Sequence, residues 1–182
     1  MVIKMAKKNL KCSILREDEL LDELIIDPQR SLSELARKLN KGKTSTWRRK
    51  KELEESNIIQ GYTAVVDETK LGWQLYIMLL KAKATMAEAA DRVIEHVKED
   101  LSSRIGVRSI DTYFTFGEYD FVLVFAAKDN TVVKNYIDLI RMRYADVLEG
   151  RPIVLNTTFV LRKEGIVNPE INSMKELLLP DL

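Results

Sequence analysis

The stretch Leu32 to Asp67, LSELARKLNKGKTSTWRRKKELEESNIIQGYTAVVD, decides the reading of this chain. Leu32, Leu35, Ala36 and Leu39 recur at helical spacing and form one apolar face. Ser31 and Glu34 have the spacing of a capping box, in which a hydroxyl and a carboxylate satisfy the first free N–H groups of a helix. Asn40 stands where that helix must end, and asparagine tolerates the left-handed backbone of a tight turn. A second helix is expected from about Lys43 to Ser56. Between Lys41 and Lys51 the chain carries six cations, Lys41, Lys43, Arg48, Arg49, Lys50 and Lys51, with no acid among them.

Two short helices at a tight turn, the second one basic, have the layout of a helix-turn-helix, whose second helix enters the DNA major groove. Lys43, Thr44, Ser45, Thr46, Arg48, Arg49 and Lys51 are therefore the candidate DNA-contacting residues. The hydroxyls at the helix start suit phosphates or base edges, and the cations suit phosphates. Neutralising six phosphates would give a log–log salt slope of roughly −5. A basic helix face in isolation is more often plain solvated surface; the capped helix and turn before it favour the DNA reading. Trp47 is read as a packing residue at the helix–helix contact in preference to one that stacks on a base.

Working outward, Leu20, Leu21, Leu24 and Ile25 mark an earlier helix. The acids Glu17, Asp18 and Glu19 suit its positive end, and Asp27-Pro28 closes it. Residues 1–13 are short and basic, either a solvated tail or an arm that adds phosphate contacts. Ile58-Ile59 and Tyr62 to Val66 have strand character, as a wing or a linker strand, with Gly61 as the flexible point between them.

The net charge of +1 hides an asymmetry. Residues 1–60 hold 14 Lys/Arg against 10 Asp/Glu, and residues 61–182 hold 15 against 18. A basic amino-terminal part on a mildly acidic remainder points to a polyanion-binding module attached to something else. The lone Cys12 allows no intrachain disulfide and suits a reducing compartment. With His96 as the one histidine, a Cys/His zinc cluster is excluded, and no metal or cofactor is expected. No apolar run has the ~20 residues of a membrane span, and a cytoplasmic location is expected.

The remainder alternates strands and helices. Gln74 to Ala84 reads as a strand with Tyr76, Met78, Leu80, Ala82 and Ala84 on one face. Ala87 to Lys98 reads as a helix with a buried stripe of Ala90, Val93, Ile94 and Val97; His96 falls among charged neighbours and is expected in solvent. Val107 to Phe116 and Tyr119 to Ala127 read as strands joined tightly at Gly117-Glu118. Asn130 to Ala145 reads as a helix with Val133, Tyr136, Ile137, Ile140 and Tyr144 inward, and Ile153 to Arg162 as a last strand. The order is βαββαβ, an antiparallel sheet with both helices on one face. Its second face is also apolar, and a second copy of the chain is the expected cover. Leu177-Leu178-Leu179 near the end either packs on a neighbouring subunit or folds back as a short helix.

A helix-turn-helix, a linking strand and a βαββαβ domain together resemble the Lrp/AsnC, or feast/famine, family of prokaryotic transcription regulators. The resemblance covers roughly Ile14 to Leu161 and rests on LSELARKL at 32–39, WRRKKELEESNIIQGYTAVVD at 47–67 and FGEYDFVLVFAAKD at 116–129. It implies an α+β chain with an amino-terminal winged helix-turn-helix followed by a ferredoxin-like βαββαβ domain of the RAM type. The expected organisation is a basic tail over 1–13, the helix-turn-helix over 14–60, a linker strand and hinge over 61–73, the βαββαβ effector and oligomerisation domain over 74–163, and a tail over 164–182. Its partners would be double-stranded DNA, further copies of itself as dimer, tetramer or octamer, and a free amino acid. In the family the effector lies near the hairpin between the second and third strands, which here is Gly117-Glu118-Tyr119-Asp120. Backbone N–H groups there could hold an α-carboxylate, and Asp120 could pair with an α-ammonium; without the resemblance the segment reads as a plain hairpin. The family usually has apolar residues at the positions of Thr46 and Lys50, which face the first helices.

Two other classes compete. One is an architectural DNA binder or regulator with no effector. The other is an enzyme, since some haem-biosynthesis decarboxylases resemble this fold. No nucleophile–base pair, phosphate loop or metal spacing supports catalysis, so the expected catalytic set is empty.

Overall fold

The computed structural model describes residues 18–179. The basic segment 1–13 and Cys12 lie outside the described residues. The chain divides into two compact units that meet between Ala64 and Val65.

The first unit holds three helices: α1 (Glu19–Ile26), α2 (Leu32–Lys38) and α3 (Lys43–Glu55). Asp18 caps α1, its carboxylate accepting from the N–H groups of Leu20 and Leu21. Ser31 and Glu34 form the expected capping box on α2. Asn40 adopts φ 53°, the left-handed turn between α2 and α3. Leu20, Leu24, Leu35 and Leu53 make the core, with Leu21, Leu39 and Ile59 packed against it. Glu23 joins α1 to the next segment through Arg30 and Lys38. Burial alone would raise its pKa, but the bonds and charges of those two cations hold the carboxyl below its usual range.

The strand expected at Ile58-Ile59 and Tyr62 to Val66 does not form: among the described residues, 56–66 hold no strand. Strand propensity needs a partner edge, and the helices supply none. Instead the Ile59 N–H donates to the Leu53 carbonyl at 3.0 Å. Tyr62 donates to Glu54 at 2.9 Å, with the Lys50 ammonium 5.1 Å above its ring. Burial, then Glu54, pushes the Tyr62 hydroxyl up to about 12.

The second unit is built on β1 (Gln74–Leu80), α4 (Ala90–Glu99), β2 (Val107–Phe114), β3 (Phe121–Ala127), α5 (Asn130–Arg143) and β4 (Ile153–Asn156). The four strands form one antiparallel sheet in the order β2-β3-β1-β4. Tyr76, Met78 and Leu80 pair with Phe125, Leu123 and Phe121, and these six face the helices. Val133, Tyr136, Ile140 and Tyr144 come down on them. The first strand stops at Leu80, short of the expected Ala84, after which Ala82 makes an isolated bridge to Leu148. The last strand covers only Ile153–Asn156.

The expected stripe of α4 is wrong in phase. A 3-10 turn over Ala84–Ala89 precedes the helix. Ala90, Ile94 and Val97 are exposed, Val93 is half-buried and His96 is the buried residue. Its Nδ1 lies 2.9 Å from the Tyr144 hydroxyl, with the two rings stacked. The expectation of a solvated histidine is thus corrected: a hydrogen bond offsets the cost of burying the ring. Burial first, then the Arg143 charge, lowers its pKa and so favours the neutral ring.

On the opposite sheet face Ile77, Leu79, Val122 and Val124 are half-buried, and Ile153 and Leu155 are exposed. Past β4, a small hairpin of β5 (Arg162–Lys163) and β6 (Ile166–Val167) returns to the body of the unit. Glu68, only 4% exposed, binds Arg108 of β2 and Lys163 of β5. Glu170 meets Lys70 at 2.6 Å. The last helix, α6 (Met174–Leu178), leaves Leu177, Leu178 and Leu179 exposed. The tail therefore folds back through its hairpin and Glu170, and not through the leucine cluster.

Candidate nucleic-acid interface

The geometry of α3 sorts the candidate residues. Residues three and four apart share a helix face. Thr46, Lys50 and Leu53 form the inward stripe; Thr44, Trp47, Arg48 and Lys51 form the stripe opposite, and all four are exposed. Lys43 and Ser45 flank its start and are exposed too.

Thr46 leaves the set of DNA contacts. It is 1% exposed, and its hydroxyl donates to the Gly42 carbonyl at 3.0 Å. A β-branched side chain with its hydroxyl satisfied by its own helix fills the place of the family's apolar residue. Lys50 fills the second such place by laying its stem inward and its ammonium over Tyr62.

Trp47 is corrected in the other direction. It is 52% exposed and stands outside the core of the three helices; the Lys51 ammonium sits 5.4 Å from its ring. The signal was present in the sequence, since position 47 lies about 100° around the helix from 46, beside the stripe of 44, 48 and 51 and off the buried one. Arg49 is only partly available. It donates to Asp18 at the start of α1 and to Glu52, which together raise its pKa. Arg48 has only a 4.0 Å approach to Glu52, and Lys43 has no ion pair among the described residues. The first turn of α3 holds no acid and Gly42 gives no side-chain cap, so its N–H groups and dipole stay available to a phosphate.

The hairpin candidate is a longer connection than the tight turn expected at Gly117-Glu118, because β2 ends at Phe114 and β3 begins at Phe121. It is closed by Thr115 N–H to the Asp120 carbonyl at 2.7 Å and Thr115 hydroxyl to the Tyr119 carbonyl at 2.6 Å. The N–H groups of 116–119 make no bond among the described residues, and Gly117 and Glu118 are exposed. Asp120 is half-buried and braces the turn: its Oδ2 accepts from the Ala82 N–H at 2.6 Å. Only its second oxygen is uncommitted. Among the described residues no cluster of three or more His, Cys, Asp or Glu could hold a metal, and no helix is long and apolar enough to cross a membrane.

No family model matches the chain. Its sequence is 32% identical over 114 residues to the HTH-type transcriptional regulator LrpA of Pyrococcus abyssi, covering 63% of this chain and 75% of that protein. LrpA of Pyrococcus horikoshii is 31% identical over 114 residues, with the same coverage. The chain belongs to the Lrp/AsnC family of transcription regulators. Its fold agrees: a feast or famine regulatory protein from M. tuberculosis, complexed with L-methionine, superposes with a TM-score of 0.58 at 23% identity, over 79% of this chain and 92% of that one. The relatives that this chain matches are named as transcriptional regulators and not as enzymes. The motifs that carry the family resemblance end before β5, so the tie between Glu68 and Lys163 is a feature they could not announce.

Proposed function

We propose that this Lrp/AsnC regulator binds double-stranded DNA as a homodimer, laying the Thr44–Trp47–Arg48–Lys51 face of α3 in the major groove, where Thr44 and Trp47 meet base edges and Arg48 and Lys51 neutralise phosphates. Lys43, Ser45 and the free N–H groups of the first turn hold phosphates, and Arg49 serves mainly to fix α3 to Asp18. The exposed Thr44–Trp47–Arg48–Lys51 face, set opposite the Thr46–Leu53 stripe, carries this reading. The dimer forms through the sheet face of Ile77, Leu79, Val122, Val124 and Leu155, which is too apolar to stand in water. Two reading helices then favour an approximately palindromic site.

A free amino acid modulates the regulator at the 116–120 hairpin. The relative solved with L-methionine supports an effector of that class, and the unbonded N–H groups of 116–119 support a carboxylate seat. The deciding experiment is DNA binding by fluorescence anisotropy against salt. With Lys43, Arg48 and Lys51 from each of two chains, the log–log slope is expected near about −5. A slope near zero would refute the interface.

A further inference from the structure

A cavity of about 200 Å³ lies inside the second unit, between α4, α5 and the helix-facing side of the sheet. Leu80, Phe121, Leu123 and Ile140 form its apolar walls. Its floor holds Tyr136, His96 and Tyr144, all buried. Its mouth opens between the end of α4 and the edge strand β2, where the liners Val97, Asp100, Ser109 and Thr112 stand. The size exceeds the ~150 Å³ apolar cavity that takes up benzene.

The floor sets the chemistry. The single Tyr144 hydroxyl proton goes to the Arg92 carbonyl at 3.2 Å. With the hydroxyl proton placed there, Nδ1 of His96 is assigned as the donor in its 2.9 Å bond to that hydroxyl oxygen. On a neutral ring this leaves Nε2 as a lone-pair acceptor, and it has no partner among the described residues. Tyr136 likewise makes no side-chain bond among the described residues and lines the same floor. The one ionised liner is Asp100, at the mouth. Arg143 acts on His96 through its charge and Arg92 lies over the Tyr144 ring, and neither lines the cavity. A carboxylate would pass Asp100 and meet no cation in the wall.

We propose that this cavity is a second ligand site, distinct from the 116–120 hairpin, for a small apolar molecule with one uncharged N–H or O–H donor, of the size of a phenol or an indole, which His96 Nε2 accepts. Val93 and Val97 of α4 form the wall that closes over it, so occupancy fixes α4 against β2.

Indole and benzofuran, which share a shape but not the donor, make the test. Each is titrated into the full chain and followed by amide chemical shifts, with phenylacetate as the anionic comparison. Indole is expected to saturate, with shifts confined to α4, β2 and the Tyr136–Tyr144 stretch, benzofuran to bind at least about tenfold more weakly, and phenylacetate not to bind. Val97→Trp, at a site 57% exposed, should block the mouth without altering the melting temperature. Equal affinity for benzofuran, tighter binding of phenylacetate, no saturable indole shift, or wild-type indole binding by V97W would each overturn the proposal. The indole–benzofuran comparison on the unaltered chain decides the matter even if V97W fails to fold.

Discussion

Arg49 donates from Nε to Oδ2 of Asp18 at 2.8 Å, with Nη2 at the same distance from that oxygen, and so fastens the middle of α3 to the first turn of α1. Its neighbour Arg48 has no such anchor. Adjacent arginines in one basic run therefore act differently. Arg48→Ala should weaken DNA binding and flatten the salt slope by about 1 for each phosphate that is no longer neutralised, with an unchanged melting temperature. Arg49→Ala should lower the melting temperature of the first unit and change the slope little. Anisotropy and circular dichroism on the two single variants check the split, and equal slope changes in both would refute it.

Trp47→Ala gives a second test of the reading face. An exposed indole contributes little to folding, so stability should stay within about 0.5 kcal/mol of the parent. If Trp47 meets base edges or thymine methyls, affinity for a specific site should fall by about 1 kcal/mol or more. Affinity for random DNA should barely change, because phosphate contacts carry it. Competition between operator and random duplexes measures the ratio; an unchanged ratio removes Trp47 from the readers.

These residues also mark how far a sequence alone can be read. Ser31, Glu34 and Asn40 act locally, through bonds within a few residues, and their roles follow from spacing alone. So does the order of strands and helices, which hydrophobic period sets. Trp47 and Thr46 fail for one reason: residue type suggests burial for tryptophan and polarity for threonine, whereas position on α3 decides the opposite. The burial of His96 depends on Tyr144, 48 residues away. The missing linker strand shows that a β-prone stretch forms a strand only where an edge awaits it.

Glu68 provides a pH test. Burial would raise its pKa, but Lys163, its own N–H and Arg108 outweigh that and hold it below the usual carboxylate range. The charged form is thus favoured by folding. Its stability contribution is complete above the unfolded pKa and is lost as pH falls through the folded one. Thermal melts of the wild-type protein should show the second unit weakening below about pH 4.5. Glu68→Gln should cost roughly 2–3 kcal/mol at neutral pH, leaving Lys163 and Arg108 without a counter-charge, and should shrink the acid drop. An E68Q variant with the parent's neutral stability would contradict the buried tie.

The uncovered sheet face predicts an assembly defect. Leu155 is 49% exposed in the single chain, so Leu155→Asp should leave the fold intact. In a dimer closed over Ile77, Val124 and Leu155 it would bury a carboxylate against apolar surface, which costs several kcal/mol. Sedimentation analysis should show the parent as a dimer or larger and L155D as a monomer. A dimeric L155D would place the interface elsewhere.

The hairpin can be tested without disturbing its brace. Asp120→Asn keeps an acceptor oxygen for the Ala82 N–H and removes only the charge. If that charge pairs with an α-ammonium, L-methionine binding should weaken by about tenfold or more, since charged hydrogen bonds carry about 1.5–3 kcal/mol. DNA affinity without amino acid should stay the same. Gly117→Val should act on the carboxylate end, by placing a branched side chain beside the unbonded N–H groups of 116–119. Calorimetry with L-methionine separates the outcomes. Weakened binding in both variants supports a seat for the whole amino acid, and weakened binding in G117V alone reduces Asp120 to a brace. Parent-like binding in both moves the effector away from the hairpin.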